Sequence, residues 1–230
     1  MKRTFFVVFL LLSFSCLGGN IDDAVQNIES KWAALYYGKK ISESYPGYSE
    51  LLTETQQLTK AHPEQAELYF WQAVLLATMA EHQNGINALI AINDARHLLL
   101  KAISIDPNTM AGSAYVTLGT LYYLSPGWPI AFGDKTIAEK YLKKGLKINP
   151  QGIDANYFYG DFLLKQNKFE KAAKYFRLAL KSPARKEQSY ADNQLKAVVK
   201  NAYQKLITLQ AKNQKNLFAS YAQTPTQTVR

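Results

Sequence analysis

The chain has 230 residues, with 27 Lys and Arg against 18 Asp and Glu, which gives a net charge of +9. Its single cysteine excludes an internal disulfide. After residue 19 no apolar run is long enough to span a bilayer, and the remaining ~210 residues suffice for one substantial domain. The charge is uneven: residues 20–132 carry 6 bases against 11 acids, and residues 133–230 carry 19 against 7. This asymmetry bears on partners rather than on fold.

Residues 1–19 have the form of a secretory signal peptide. Lys2 and Arg3 precede the apolar run 5–12, which is too short for a membrane span, and small residues follow it. A buried N-terminal helix is the alternative, and it fits the charged start less well. We therefore expect export to the bacterial periplasm.

Cys16 stands directly after the apolar run, and residues 13–17 resemble a bacterial lipoprotein signal, in which the cysteine becomes the lipidated first residue. Leu12 stands one place too early for that pattern, and Phe14 is bulky for its place. Ordinary cleavage near residues 18–19 is the alternative. Lipidation of Cys16 would attach the protein to a membrane surface.

The first elements of the mature chain are two helical hairpins, about 22–63 and 66–107. Apolar residues recur at three- and four-residue steps in each helix, which is the spacing of one helical face. The segment Ser44-Tyr45-Pro46-Gly47 predicts a turn inside the first hairpin, and Asn84-Gly85 predicts a break inside the second.

Two further hairpins, about 110–150 and 152–183, are similar to each other. Each reads as a helix, a turn, a second helix and a proline stop, and self-similarity at roughly 34 residues indicates a helical repeat array. The landmarks of the later copy are Tyr157, Tyr159, Gly160, Leu163, Phe169, Ala172, Phe176, Ala179 and Pro183. Those of the earlier copy are Tyr115, Leu118, Gly119, Tyr122, Ala138, Leu142, Gly145 and Pro150.

The earlier copy carries an insertion of seven residues, because Gly119 and Ala138 are 19 apart where Gly160 and Ala172 are 12 apart. The added residues lie in the segment 125–133, whose two prolines and two glycines argue against a continuous helix. A capping helix of about 187–213 follows the last hairpin. The Gln- and Thr-rich residues 216–230 predict a disordered tail.

The landmark pattern resembles the tetratricopeptide repeat, strongly over 155–183 and more weakly toward the N-terminus. The resemblance implies an all-α, right-handed superhelix of hairpins over residues 20–215 with a C-terminal capping helix, and a role in binding other proteins. The Pro-Gly-Trp-Pro loop and the Asn-Tyr-Phe-Tyr-Gly-Asp segment look like the T component of TRAP-type solute transporters. That resemblance implies a scaffold for a substrate-binding protein, with a cavity for an apolar ligand.

No motif for chemistry stands out in the sequence. The three histidines, His62, His82 and His97, have no partners at metal-ligand spacing, and phosphate-binding and hydrolase motifs are absent. Asp154 and Asp161 are two helical turns apart, which suits acid–base work or, more commonly, binding of a partner's Lys or Arg. We therefore predict no enzyme activity, no catalytic residue, no metal site and no cofactor.

The first helix of each repeat lines the concave groove, which predicts a strip of partner-binding side chains. The strip suits a helix, an extended peptide or an apolar ligand, unless the final helix folds back and covers it. The predicted binding residues in the groove are Phe70, Val74, Val116, Thr120, Tyr123, Tyr157, Asp161 and Leu164, and Ala77 also faces inward.

The inserted loop adds Trp128 and Phe132 to the predicted partner-binding residues. A rigid tryptophan between Gly127 and Pro129 is a candidate binding anchor, and the alternative is that Trp128 fills the core under its own loop.

The lysine-rich second half is either a solvated face or a surface for anionic lipid, and the export signal argues against nucleic acid. We expect a scaffold for a cell-envelope protein or peptide. The second hypothesis is an apolar-ligand carrier or transport accessory, which a closed apolar tunnel would favour and an open groove would not.

Overall fold

The structure is a computed structural model that describes residues 21–38 and 41–222, without the side chains of 41–44 and 213–222. The predicted signal peptide, Cys16 and residues 223–230 lie outside the described residues. Within the described ranges, the chain forms nine α-helices joined by short connections. They are α1 (Ile21–Gly38), α2 (Ile41–Ala61), α3 (Ala66–Ala80), α4 (Gly85–Ile105), α5 (Ser113–Leu124), α6 (Lys135–Ile148), α7 (Ile153–Leu164), α8 (Phe169–Lys181) and α9 (Ser189–Ala222).

Consecutive helices pair as antiparallel hairpins, most extensively α3 with α4, α5 with α6, and α7 with α8. Each hairpin stacks on the next, through α2 on α3, α4 on α5, and α6 on α7. This arrangement confirms the predicted all-α superhelix of repeat hairpins. None of the described helices is long and apolar enough to cross a membrane.

The small landmark residues stand where two helices approach most closely. A Cβ atom built on Gly119 would lie 2.8 Å from Leu142 Cγ and 3.0 Å from the Ala138 carbonyl oxygen. In the next hairpin, a Cβ on Gly160 would lie 2.8 Å from the Phe176 ring. Leu142 and Phe176 are fully buried. The hairpins are therefore packed around positions with no room for a side chain.

The turn predicted at 44–47 is wrong, because α2 begins at Ile41 and runs through Pro46. Pro46 lies in the second turn of α2, where it removes one backbone hydrogen bond. Tyr48 and Leu51, which follow it, are buried, and Gly47 lies against Leu35 of α1, where a Cβ would be 2.7 Å from a methyl carbon.

Helix α9 also continues farther than predicted. The tail predicted to be disordered begins at residue 216, yet the helix reaches Ala222. Residues 189–222 contain neither Gly nor Pro, so nothing in the local backbone chemistry ends the helix at 213.

Replacing Gly119 by Val should lower the free energy of unfolding by about 1–3 kcal/mol, because the new methyl groups meet backbone atoms that cannot move away. Chemical denaturation measures this loss. The matched control is Ala197→Val, which makes a larger side chain at an exposed position of α9 and should change stability by less than about 0.7 kcal/mol. Equal effects at the two positions would contradict the close approach of α5 and α6.

Candidate functional site

The predicted groove residues divide into buried and partly exposed sets. Phe70, Val116 and Thr120 are buried, so in this conformation they support the face and present little surface to a partner. The remaining groove residues are partly exposed, namely Val74, Ala77, Tyr123, Tyr157, Asp161 and Leu164. No finding tests the groove residues as binding residues, and they stay predictions.

Four tyrosines converge on this side of the array: Tyr36 and Tyr37 of α1, Tyr123 of α5 and Tyr157 of α7. We name them the tyrosine strip. Burial, followed by the charge of Asp161, raises the pKa of Tyr157 to about 12, and Tyr36 adds to the shift. Burial also raises the pKa of Tyr37, with contributions from Tyr36 and Tyr157. Helices α1 and α7, which are far apart in sequence, therefore face each other across the strip.

The two predicted carboxylates are held by hydrogen bonds between α5 and α7. Tyr123 donates a hydrogen bond of 2.7 Å from its hydroxyl to Asp161 Oδ2, and Ser113 donates one of 2.6 Å to Asp154 Oδ2. Burial and the Asp161 carboxylate raise the pKa of Tyr123 well above its ordinary value. Lys165 Nζ lies 3.5 Å from Asp161 Oδ2. Both acids thus fasten two neighbouring repeats.

Helix α9 packs mainly on α8, but it also contacts α7 and α1. The contact with α1 joins the first and last helices of the array. Arg185, in the connection before α9, donates from Nη2 to Glu29 Oε1 at 2.6 Å and to Asp192 Oδ1 at 2.8 Å. Gln188 Nε2 donates to the Gln26 carbonyl oxygen at 3.2 Å. We name Glu29, Arg185, Gln188 and Asp192 the latch.

The latch contains two buried carboxylates around one guanidinium. The side chains of Glu29 and Asp192 are 9% and 7% exposed, whereas that of Arg185 is 52% exposed. Burial raises the pKa of Glu29, although attraction to Arg185 opposes the shift. Burial alone would lower the pKa of Arg185, but hydrogen bonds to Asp192 and the charge of Glu29 outweigh it and raise that pKa.

The inserted loop, residues 125–133, is fixed at both ends by backbone hydrogen bonds. Gly133 N donates to the Pro126 carbonyl oxygen at 2.8 Å, and Asp134 N donates to that of Tyr122 at 2.9 Å. Asp134 then caps α6 by accepting from the amides of Thr136 and Ile137. A Cβ on Gly133 would collide with the Ser125 carbonyl oxygen, so this loop shape requires glycine there.

Trp128 points away from the array, with 88% of its surface exposed, so the alternative that it fills the core is wrong. Phe132, not Trp128, packs against the core under the loop. Its ring lies edge-on to Tyr122, with centroids 5.1 Å apart, and the guanidinium of Arg96 lies 4.7 Å above it. The loop is thus packed from below by Phe132 and presents Trp128 outward.

Other exposed apolar residues lie at this edge of the array, where the first helix of each hairpin gives way to the second. Leu124 ends α5 and Ile130 lies in the inserted loop with Trp128, and they are 56% and 66% exposed. Ile86 and Ile90, at the start of α4 in the neighbouring hairpin, are 74% and 54% exposed. We name these five residues the apolar edge.

Among the described residues, no group of three or more His, Cys, Asp or Glu side chains is arranged to hold a metal ion. His62 lies 3.8 Å from Glu64, and His97 lies beside Arg96 at 3.1 Å. These contacts are local and do not assemble a site.

Sequence reasoning missed the latch and half of the tyrosine strip. A signal was present in α1, because Glu29 lies four residues from both Val25 and Ala33 and is therefore on the buried face. In α9, Asp192 lies three and seven residues before Leu195 and Val199, so it shares the apolar face that these residues form. An acid on an apolar stripe indicates a buried cationic partner, but it does not identify Arg185.

Comparison with known proteins gives one family match, in which residues 130–189 match the tetratricopeptide repeat. Among solved structures, a thermophilic TPR protein from Thermus thermophilus is similar with a TM-score of 0.56 and 14% identity, covering 83% of this chain and 92% of that one. A crystal structure of MamA is similar with a TM-score of 0.43 and 17% identity, covering 77% of this chain and 98% of that one. No curated protein matches the sequence.

The latch predicts a specific dependence of stability on pH. Because the pKa of Glu29 is raised in the folded chain, its contribution is greatest below the ordinary value of 4.5 and falls as pH rises through the raised value. Glu29→Gln cannot ionise, so relative to this variant the wild type should lose unfolding free energy between pH 4.5 and neutrality. Denaturation of both proteins across that range measures the difference. A wild type that gains stability over the variant as pH rises would show that attraction to Arg185 outweighs burial.

Proposed function

We propose that this chain is an exported, non-enzymatic scaffold for another cell-envelope protein. Residues 130–189 match the tetratricopeptide repeat, and the described array has the fold of a tetratricopeptide-repeat protein. The observation that carries the proposal is the outward position of Trp128 on a loop that is fixed at both ends. Repeat arrays of this kind bind through extended surfaces, since each hairpin adds surface without changing the others.

The apolar edge supports binding better than the concave face does. The predicted residues Phe70, Val116 and Thr120 are already buried in the array, whereas Trp128, Ile130 and Leu124 are exposed. A partner that covers the edge removes their apolar surface from water, and a tryptophan held in place loses little conformational freedom on binding. Trp128 is therefore the anchor in this proposal, and Phe132 supports the loop from below.

Export rests on the sequence of residues 1–19, and membrane attachment on Cys16. The basic second half would add electrostatic attraction if a lipid anchor held it near an anionic membrane. The non-enzymatic assignment is supported by the absence of known catalytic motifs in the sequence and by Asp154 and Asp161, which bind residues of α5.

The transport-accessory alternative, with an apolar ligand inside the array, is supported by the resemblance to T components and by the contact between α1 and α9, the first and last helices of the array. The lining is not purely apolar, because the hydroxyls of the tyrosine strip and the Asp161 carboxylate face it. A ligand with an aromatic or apolar body and a polar group would suit this lining better than a plain hydrocarbon.

A photoactivatable benzoylphenylalanine at position 128 should cross-link to a distinct partner protein in intact cells, because Trp128 lies at the proposed interface. The matched control carries the same group at Lys147, which is exposed on the same hairpin at the opposite end of α6. The two adducts are compared by mass on denaturing gels. Cross-linking to the same proteins with equal yield at both positions would contradict the assignment.

Trp128→Ala should weaken capture of that cross-linked partner by about 30-fold or more, the loss expected when an anchor worth about 2 kcal/mol is removed. Gly133→Ala should also weaken it, because the loop must change shape, whereas Gly127→Ala has room for its Cβ and should not. Unchanged affinity in Trp128→Ala would show that the partner binds another surface.

Mass spectrometry of the mature N-terminus tests the cellular location. A chain that begins with a diacylated or triacylated Cys16 supports a lipid anchor, and a chain that begins near Asn20 supports export without one. An N-terminus at Met1 in the isolated protein would contradict export.

A further inference from the structure

The latch joins two ends of the chain that repeat packing does not require to touch. In a stacked array each repeat contacts only its neighbours, so the first and last helices are free to stay apart. Here Arg185 reaches Glu29 across 156 residues of sequence, and Gln188 reaches the Gln26 carbonyl across 162. Ser30 Oγ also donates to Gln188 Oε1 at 3.3 Å.

Each end has its own support apart from the latch. Helix α1 packs on α2 and α3, and its Trp32 donates from Nε1 to Thr78 Oγ1 at 3.1 Å and lies against Trp71. Helix α9 packs mainly on α8, with Val199 and Leu206 fully buried. Separation of α1 from α9 would therefore break the latch contacts and leave the main packing of both helices intact.

The joined ends cover part of the tyrosine strip, since Tyr37, Tyr123 and Tyr157 are only partly exposed whereas Tyr36 is 39% exposed. Burial raises the pKa of Tyr37 of α1, and Tyr157 of α7 and Asp192 and Tyr190 of α9 lie near enough to add to that shift. A Cβ on Gly38, the last residue of α1, would lie 3.7 Å from the Tyr190 hydroxyl. The start of α9 thus lies beside the end of α1, on the side of the array onto which Tyr37, Tyr123 and Tyr157 converge.

We propose that the latch is a gate: Glu29 and Asp192 hold Arg185 to keep the ends of the array together, and its release exposes the tyrosine strip on the concave face. The half-exposed guanidinium allows water to compete for its hydrogen bonds, while the two buried carboxylates favour closure. The gate is independent of the apolar edge, which lies on other helices and stays exposed in the closed state.

Hydroxyl-radical footprinting of Tyr37 and Tyr157, read by mass spectrometry on the full chain, tests the gate. Three proteins are compared: the wild type, Arg185→Gln, and a closed form in which Ser30→Cys and Gln188→Cys are joined by a short bismaleimide, with Cys16→Ser to prevent side reactions. Oxidation of both tyrosines should be lowest in the closed form, intermediate in the wild type, and several-fold higher in Arg185→Gln. Lys186→Gln, at the exposed neighbouring position, should match the wild type.

Two results would overturn the proposal. Equal oxidation in all three proteins would show that the latch does not cover the strip. Equal oxidation in the wild type and the closed form, below that of Arg185→Gln, would show that the latch is a static support that does not open. If circular dichroism shows that Arg185→Gln is unfolded, the comparison of the wild type with the closed form still decides whether the latch opens, because the cross-linked protein retains Arg185.

Discussion

Close approach of paired helices is the constraint on which the rest of this structure depends. Gly119 against Leu142, and Gly160 against Phe176, leave no space for a side chain, so both of these hairpins are tightly packed where their helices cross. Because that crossing recurs along the chain, the hairpins stack in a regular way and carry the first helices of the repeats to one side. The tyrosine strip and the acids Asp154 and Asp161 occupy that side as a consequence.

Departures from the regular hairpin account for the two surfaces of interest. The inserted loop leaves the packing of α5 and α6 unchanged, since Phe132 packs on Tyr122 below it while Trp128 faces solvent above it. The latch, in contrast, is a long-range contact that joins α1 to the start of α9 through buried charges. The loop is an addition within one repeat, and the latch is a contact between the ends of the array.

These two surfaces differ in how they balance polar and apolar groups. The apolar edge exposes Trp128 and Ile130 to water, an arrangement that favours burial by a partner. The latch removes Glu29 and Asp192 from water, a cost that the Arg185 guanidinium and the hydrogen bond from its backbone amide to Asp192 offset in part. One surface is therefore exposed to solvent, whereas the other joins the two ends of the array.

The sequence by itself determined the repeat and its hairpins, because small and large residues at fixed spacing encode a local packing that needs no distant information. It also located the insertion around Trp128. It misplaced the start of α2 and the end of α9, where tertiary contacts or an uninterrupted helical composition outweighed turn and tail signals. Only the tertiary structure decided that Trp128 faces outward and that Arg185 meets Glu29. The outward position of Trp128 and the contact between Arg185 and Glu29 both depend on the direction in which whole hairpins are stacked. The small rotations between successive hairpins add up over the array, and they bring together residues that no local sequence pattern relates.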